Sequence, residues 1–186
     1  MAFRPEYVAT LELLARALAL YEAEEHRRPV IVGGAAVEYY TGGEIESGDV
    51  DVVEADLAPL AKALEAVGFR REDRSGRLLR GFYHPSLQTG VEVVSGMLFD
   101  GRTDRSRLGI VLFGEAALRF APVEDMIADR LSQYEASRRR DDEMLAQARC
   151  LHRLAEHLDQ QYLMKRIAEE GGDPDLLMGG SNEGAT

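Results

Sequence analysis

Apolar residues recur at helical spacing from Tyr7 through Val8, Leu11, Leu14, Ala15 and Leu18 to Tyr21. This predicts an amphipathic helix over residues 5 to 27, ending in the charged run Glu24 to Arg28 before the break at Pro29. Val30-Ile31-Val32, bounded by Pro and Gly, reads as a short buried strand. Gly33-Gly34 is the expected turn, Ala35 to Tyr40 a short helix stopped by Thr41-Gly42-Gly43, and Asp49 to Val53 the second strand. Residues 56 to 67 fit another helix, with Asp56 as its cap and Gly68 as its stop. Beyond it the pattern turns strand-like in Phe69 to Glu72, Leu78 to Tyr83, Gly90 to Val94 and Leu108 to Phe113, which extend the sheet. From Pro122 the helical period returns through Val123, Met126, Ile127, Leu131 and Tyr134, and again through Met144, Leu145, Ala148, Leu151, Leu154 and Leu158. Two or three helices are expected there, and the Gly-rich stretch from Gly171 onward reads as a mobile tail. The expected class is α/β: a core over residues 1–121, a helical C-terminal region over 122–170 packed on it, and a flexible tail over 171–186.

Composition narrows the functions open to this pattern. The 186 residues are 45% apolar and 30% charged, enough hydrophobic material for a real core. Cys150, the single cysteine, excludes a disulfide framework and a cysteine-ligated structural zinc site, and suits a reducing compartment. No run approaches the ~20 apolar residues of a membrane span, and the opening segment is interrupted by Arg4, Glu6, Glu12 and Arg16. A soluble, cytoplasmic protein is expected, with no membrane partner. With 33 acidic against 22 basic side chains the formal charge is −11, so the long-range field repels polyanions and argues against general DNA binding. Two Arg-rich stretches stand out locally: Arg70, Arg71, Arg74, Arg77 and Arg80, then Arg138 to Arg140. They read either as phosphate-binding patches or as a solvated rim balancing nearby acids.

The chemistry concentrates in VIVGGAAVEYYTGGEIESGDVDVV, residues 30 to 53. Asp49 and Asp51 are two apart on a predicted strand, so both carboxylates project from one face, about 7 Å apart. Clustered carboxylates are costly without a cation between them, and Mg²⁺ is the oxygen-seeking ion that also meets phosphates. A strand that ends in Gly33-Gly34 and opens into a helix offers bare backbone amides and a positive helix end to a phosphate. A third carboxylate is needed to hold a pair of metals for displacement at phosphorus. Glu92, which interrupts the apolar run Gly90 to Val94, is the leading candidate, and an edge-strand carboxylate facing solvent is its alternative reading. Glu54 has the wrong parity, and Tyr39 and Tyr40 read as packing residues or as the wall of a nucleotide pocket. His152 and His157 are five apart, so they do not form an i, i+4 metal pair.

The order strand, Gly-Gly, helix, Ser-x-Asp-x-Asp strand, then a later strand with a lone acid, resembles the nucleotidyltransferase superfamily that includes DNA polymerase beta. Within it, the chain is most similar to small bacterial nucleotidyltransferase-like proteins near the abortive-infection toxin group. The matching positions are Gly33, Gly34, Ser47, Asp49 and Asp51, with Glu92 a looser match. Pro122 to Leu131, followed by Arg140-Asp141-Asp142, also resembles that group, with Arg130 standing where Lys is commoner. The resemblance implies a nucleotidyltransferase-like mixed sheet flanked by helices. It implies an enzyme that uses NTP with Mg²⁺ (or Mn²⁺), moving a nucleoside monophosphate to a hydroxyl on an RNA, a protein or a small molecule. Asp49, Asp51 and Glu92 would then be the metal-binding and catalytic residues, and Gly33, Gly34, Ser47 and Arg130 would hold the nucleotide. A toxin role with an antitoxin partner is a further implication of the same likeness. The alternative within the fold is a catalytically inactive member that binds a nucleotide or a partner.

Overall fold

The computed structural model of the chain describes residues 3–72, 81–94 and 96–178. They fall into two compact units, Met1–Ala121 and Pro122–Thr186. In the first, Pro5 opens α1 (Pro5–Glu25), where its fixed φ suits the first turn and its missing N–H would have had no partner. His26 closes the helix in the left-handed region, its N–H returning to the Glu22 carbonyl. The chain continues through β1 (Val30–Val32), α2 (Gly33–Tyr40), β2 (Asp49–Val53), α3 (Leu57–Ala66), β3 (Arg70–Arg71), β4 (Gly81–Tyr83) and β5 (Gly90–Val94). After two 3-10 turns it ends in a hairpin of β6 (Gly109–Phe113) and β7 (Ala116–Phe120).

These strands form one mixed sheet in the order β3-β4-β5-β2-β1-β7-β6. β1 runs antiparallel to β2 and parallel to β7, and β2 runs parallel to β5. α1 packs on α3 and β7, and α2 packs on β1 and β2. Alternation along the central strands separates two faces: Ile31, Val50, Val52, Val91 and Val93 are buried, while Asp49 and Glu92 on the opposite parity are exposed. The core is therefore one-sided at this point, and the acids stand on its open side.

Three sequence expectations shift. Gly33 and Gly34 form the first turn of α2 rather than a separate turn before it. α3 begins after Asp56, but the Asp56 side chain makes no cap bond; Glu54 Oε1 instead accepts the Ala55 and Asp56 amides at 2.8 and 3.1 Å. β7 has no strand signal in the sequence, because Ala-Ala-Leu-Arg-Phe has helix-forming composition. Its pairing to both β1 and β6 overrides that local preference. Of the strand expected over Leu78 to Tyr83, residues 78–80 lie outside the described residues.

The second unit contains α4 (Val123–Ala136), α5 (Asp142–Leu154) and α6 (Gln160–Glu170). Asp141 and Asp159 cap α5 and α6 by accepting the Met144 and Tyr162 amides. Met126, Ile127, Leu131, Ala148, Leu151, Leu163 and Ile167 supply its core. Asp125 and Arg166, both 0% exposed, form an ion pair inside it, and the Tyr162 hydroxyl donates to Asp125 Oδ2 at 3.0 Å. Pro174–Leu177, in the stretch that composition assigned to the tail, is a 3-10 turn whose Leu176 carbonyl accepts from Arg149 at 2.8 Å. His157 lies beyond the end of α5, and no helix among the described residues is long and apolar enough to cross a membrane.

Candidate active site

Three glycines shape the open side of the sheet. Gly33 sits at φ +63, and a Cβ there would stand 1.9 Å from Asp51 Oδ2, so the Asp51 carboxylate lies directly against the start of α2. A Cβ on Gly34 would meet Ser47 Oγ at 2.6 Å, and one on Gly90 would meet Asp49 Oδ1 at 2.8 Å. Each of the three polar side chains thus occupies volume that any other residue would fill. The Gly90 amide also donates to Asp49 Oδ1 at 3.1 Å.

Register brings the acids to one face. Val32 of β1 is opposite Asp51, and Asp51 in turn is opposite Glu92 in the parallel pairing of β2 with β5. Directly opposed residues share a face of the sheet, and Asp49 joins them by parity. Asp51 is half-buried, whereas Asp49 and Glu92 are exposed. Asp49 is turned to Gly90 on β5, and Asp51 to Gly33 at the start of α2. Among the described residues no three Asp, Glu, His or Cys side chains are gathered so as to hold a metal ion. The donor set nonetheless fits Mg²⁺ in kind: three carboxylates on one open face, with no sulfur or imidazole among them.

Ser47 is held in a network that the sequence did not disclose. Its hydroxyl donates to the Asp49 carbonyl, and its amide donates to Glu38 Oε2, both at 2.7 Å. Arg4 Nη2 donates to that same Oε2 and to the Ser47 carbonyl, again at 2.7 Å. Arg4 Nε completes a bidentate pair with Glu38 Oε1 at 3.1 Å. Glu38 is 0% exposed. The hydrogen bond to Glu38 raises the Arg4 pKa, which keeps the clamp charged. Arg4 and Glu38 therefore fix the segment that leads into β2. An acid within the apolar run of α2 is the one sequence signal for this clamp; its partner lies 34 positions away.

Arg130 lies in the second unit, 6% exposed, with Nε donating to Gln147 Oε1 at 2.6 Å and Nη1 to Asp129 Oδ2 at 2.7 Å. Tyr39 is a packing residue, stacked between Phe3 and Phe120 at 6.4 and 4.3 Å between ring centroids, and the Tyr40 hydroxyl donates to the Ala121 carbonyl at 2.8 Å. Several of the arginines are engaged by acids or rings: Arg71 pairs with Glu65 and lies over Phe82, and Arg139 pairs with Glu135 and Asp173. Arg74, Arg77 and Arg80 lie outside the described residues.

The fold as a whole is similar to that of several solved structures. No protein-family model matches the chain, and no curated protein matches it. An antigenic nucleotidyltransferase-like protein from Paracoccidioides brasiliensis superposes with TM-score 0.61 at 17% identity, over 90% of this chain and 88% of that one. JHP933 from Helicobacter pylori gives 0.55 at 17% identity, over 95% and 79%. ANT(2″)-Ia, solved in complex with adenylyl-2″-tobramycin, gives 0.52 at 14% identity, over 88% and 97%. The chain shares the α/β fold of these solved structures.

Proposed function

We propose that the chain is a nucleotidyltransferase that moves a nucleoside monophosphate from NTP to a hydroxyl acceptor. The observation that supports this most directly is the register that sets Asp51 opposite Glu92, with Asp49 on the same face and the Asp51 carboxylate against Gly33. In this reading the amides at the start of α2 bind the triphosphate, with Ser47 beside Gly34. Asp49, Asp51 and Glu92 would hold Mg²⁺ or Mn²⁺, which when bound would supply charge neutralisation at the transferring phosphoryl group. The acceptor oxygen bonds to the α-phosphorus, the bond from that phosphorus to the bridging oxygen breaks, and pyrophosphate leaves. Glu92, exposed and without a polar partner among the described residues, takes the acceptor's proton. Such chemistry belongs where NTP is plentiful, hence a cytoplasmic setting. A toxin role with an antitoxin partner rests on the sequence resemblance alone.

The test is transfer of label from α-labelled NTP with Mg²⁺ to cell-extract acceptors, which Asp51→Asn is expected to abolish; label retained in the variant contradicts the proposal. A second reading, a nucleotide-binding member without catalysis, is favoured by the engagement of Asp49 with Gly90 and of Arg130 with Gln147. Tight NTP binding with no transfer by the native chain would establish it.

A further inference from the structure

The open face of β2 continues past the acids. Val53 follows Asp51 on the same parity, about 7 Å further along the strand, and beyond it lies a cavity of about 540 Å³. The cavity is walled by the end of β2, by Arg27 and Arg28 leading into β1, and by the segment after β5 from Gly96 to Arg105. Its volume is that of a site for a small organic molecule.

Its charge is unlike that of the chain as a whole. Arg27 is paired with Glu54 at 3.3 Å, and the Glu54 carboxylate also accepts the Ala55 and Asp56 amides, so this pair is internally balanced. Arg28 and Arg105 have no carboxylate partner among the described residues, and Arg105 Nη2 donates to the Arg28 carbonyl at 3.0 Å, which seats one guanidinium beside the other residue. The wall therefore carries a surplus of positive charge in a chain of formal charge −11. Thr103 Oγ1 is buried there with no hydrogen-bond partner among the described residues. Val53, Leu98 and the 73%-exposed Met97 give the cavity an apolar side.

Direction then matters. In-line displacement requires the acceptor to approach phosphorus from the side opposite the departing pyrophosphate. With the triphosphate on Gly33-Gly34, at the Asp49 end of β2, the opposite side is the Val53 end. We infer that this cavity is the acceptor site, and that it takes a small hydroxylated molecule carrying a phosphate monoester on an apolar or aromatic body. The inference rests on the transferase reading above. The guanidinium groups fit phosphate oxygens, and they repel polycationic acceptors such as amino sugars.

Pyridoxine 5′-phosphate supplies ring, hydroxyls and phosphate in one fluorescent probe, with pyridoxine as its uncharged counterpart. Titrated into the full chain, the phosphorylated probe is expected to bind saturably, and at least about tenfold more tightly than pyridoxine. Asp51→Asn should leave that affinity within about twofold, whereas Arg28→Gln combined with Arg105→Gln should weaken it at least about tenfold. Both arginines are exposed, and unchanged melting will show that the double variant is folded. With α-labelled NTP and Mg²⁺ present, the native chain should label the probe. Absent binding, or binding indifferent to the arginines, overturns the assignment even where NTP is consumed. Arginine-dependent binding by a chain that fails to bind NTP in a separate titration overturns the transferase reading, and the acceptor role with it.

Discussion

At the residue scale the site depends on side chains that rest on glycine. Gly33→Ala would place a methyl group 1.9 Å from Asp51 Oδ2 at a φ of +63, so either the carboxylate or the helix start must move. Left-handed strain of about 1–3 kcal/mol accompanies that displacement, and nucleotidyl transfer is expected to fall by at least an order of magnitude, measured as initial rate at saturating NTP. Glu38→Ala removes the acceptor for the Ser47 amide and for Arg4, at an expected cost of about 2–3 kcal/mol in urea unfolding. Tyr21 reports on the same unit through pH. Burial first, and then the charge of Glu54, push its phenol from 10.0 up to about 12. The folded state holds this proton more tightly than the unfolded chain, so the associated stability is intact below pH 10 and drains away as pH rises toward 12. Melting across that window should show a loss on the order of 2 kcal/mol that Tyr21→Phe removes. The parity of Asp49 and Asp51 was legible in the sequence because a strand alternates strictly. The Arg4–Glu38 clamp was not, since nothing local ties an arginine before α1 to a glutamate in α2.

At the element scale, legibility followed the length of the hydrophobic pattern. α1 and α4 were readable because a sustained stripe of buried residues repeats at helical period. β7 was not, because five residues of helix-compatible composition become a strand only through their neighbours β1 and β6. The opposition of Asp51 to Glu92 was likewise beyond a sequence reading: strand order in a sheet is set by long-range pairing. The interior of the second unit shows a further limit of periodicity, which marks position 166 of α6 as inward without explaining an arginine there. Arg166 meets Asp125, and burial, which alone would lower the arginine's pKa, is outweighed by hydrogen bonds to that carboxylate and to Glu169. Arg166→Ala strands a buried carboxylate and is expected to cost about 3–5 kcal/mol. Asp125→Leu with Arg166→Met should recover part of the loss, as read from urea midpoints.

At the scale of the whole molecule, a chain of formal charge −11 presents polyphosphate with a repulsive far field. NTP binding must then come from short-range groups: the amides at Gly33 and Gly34 and a divalent cation on the acids. NTP affinity should therefore collapse when Mg²⁺ is withdrawn. The proposed function requires Asp49, Asp51 and Glu92 to form one metal-dependent site with the Gly33-Gly34 helix start. Paramagnetic broadening of amide resonances by Mn²⁺ with a non-hydrolysable NTP tests it most directly. Broadening is expected to centre on residues 33–34, 49–51 and 90–92 and to be lost in Asp51→Asn; broadening centred elsewhere on the chain, or unchanged in that variant, would rule this site out.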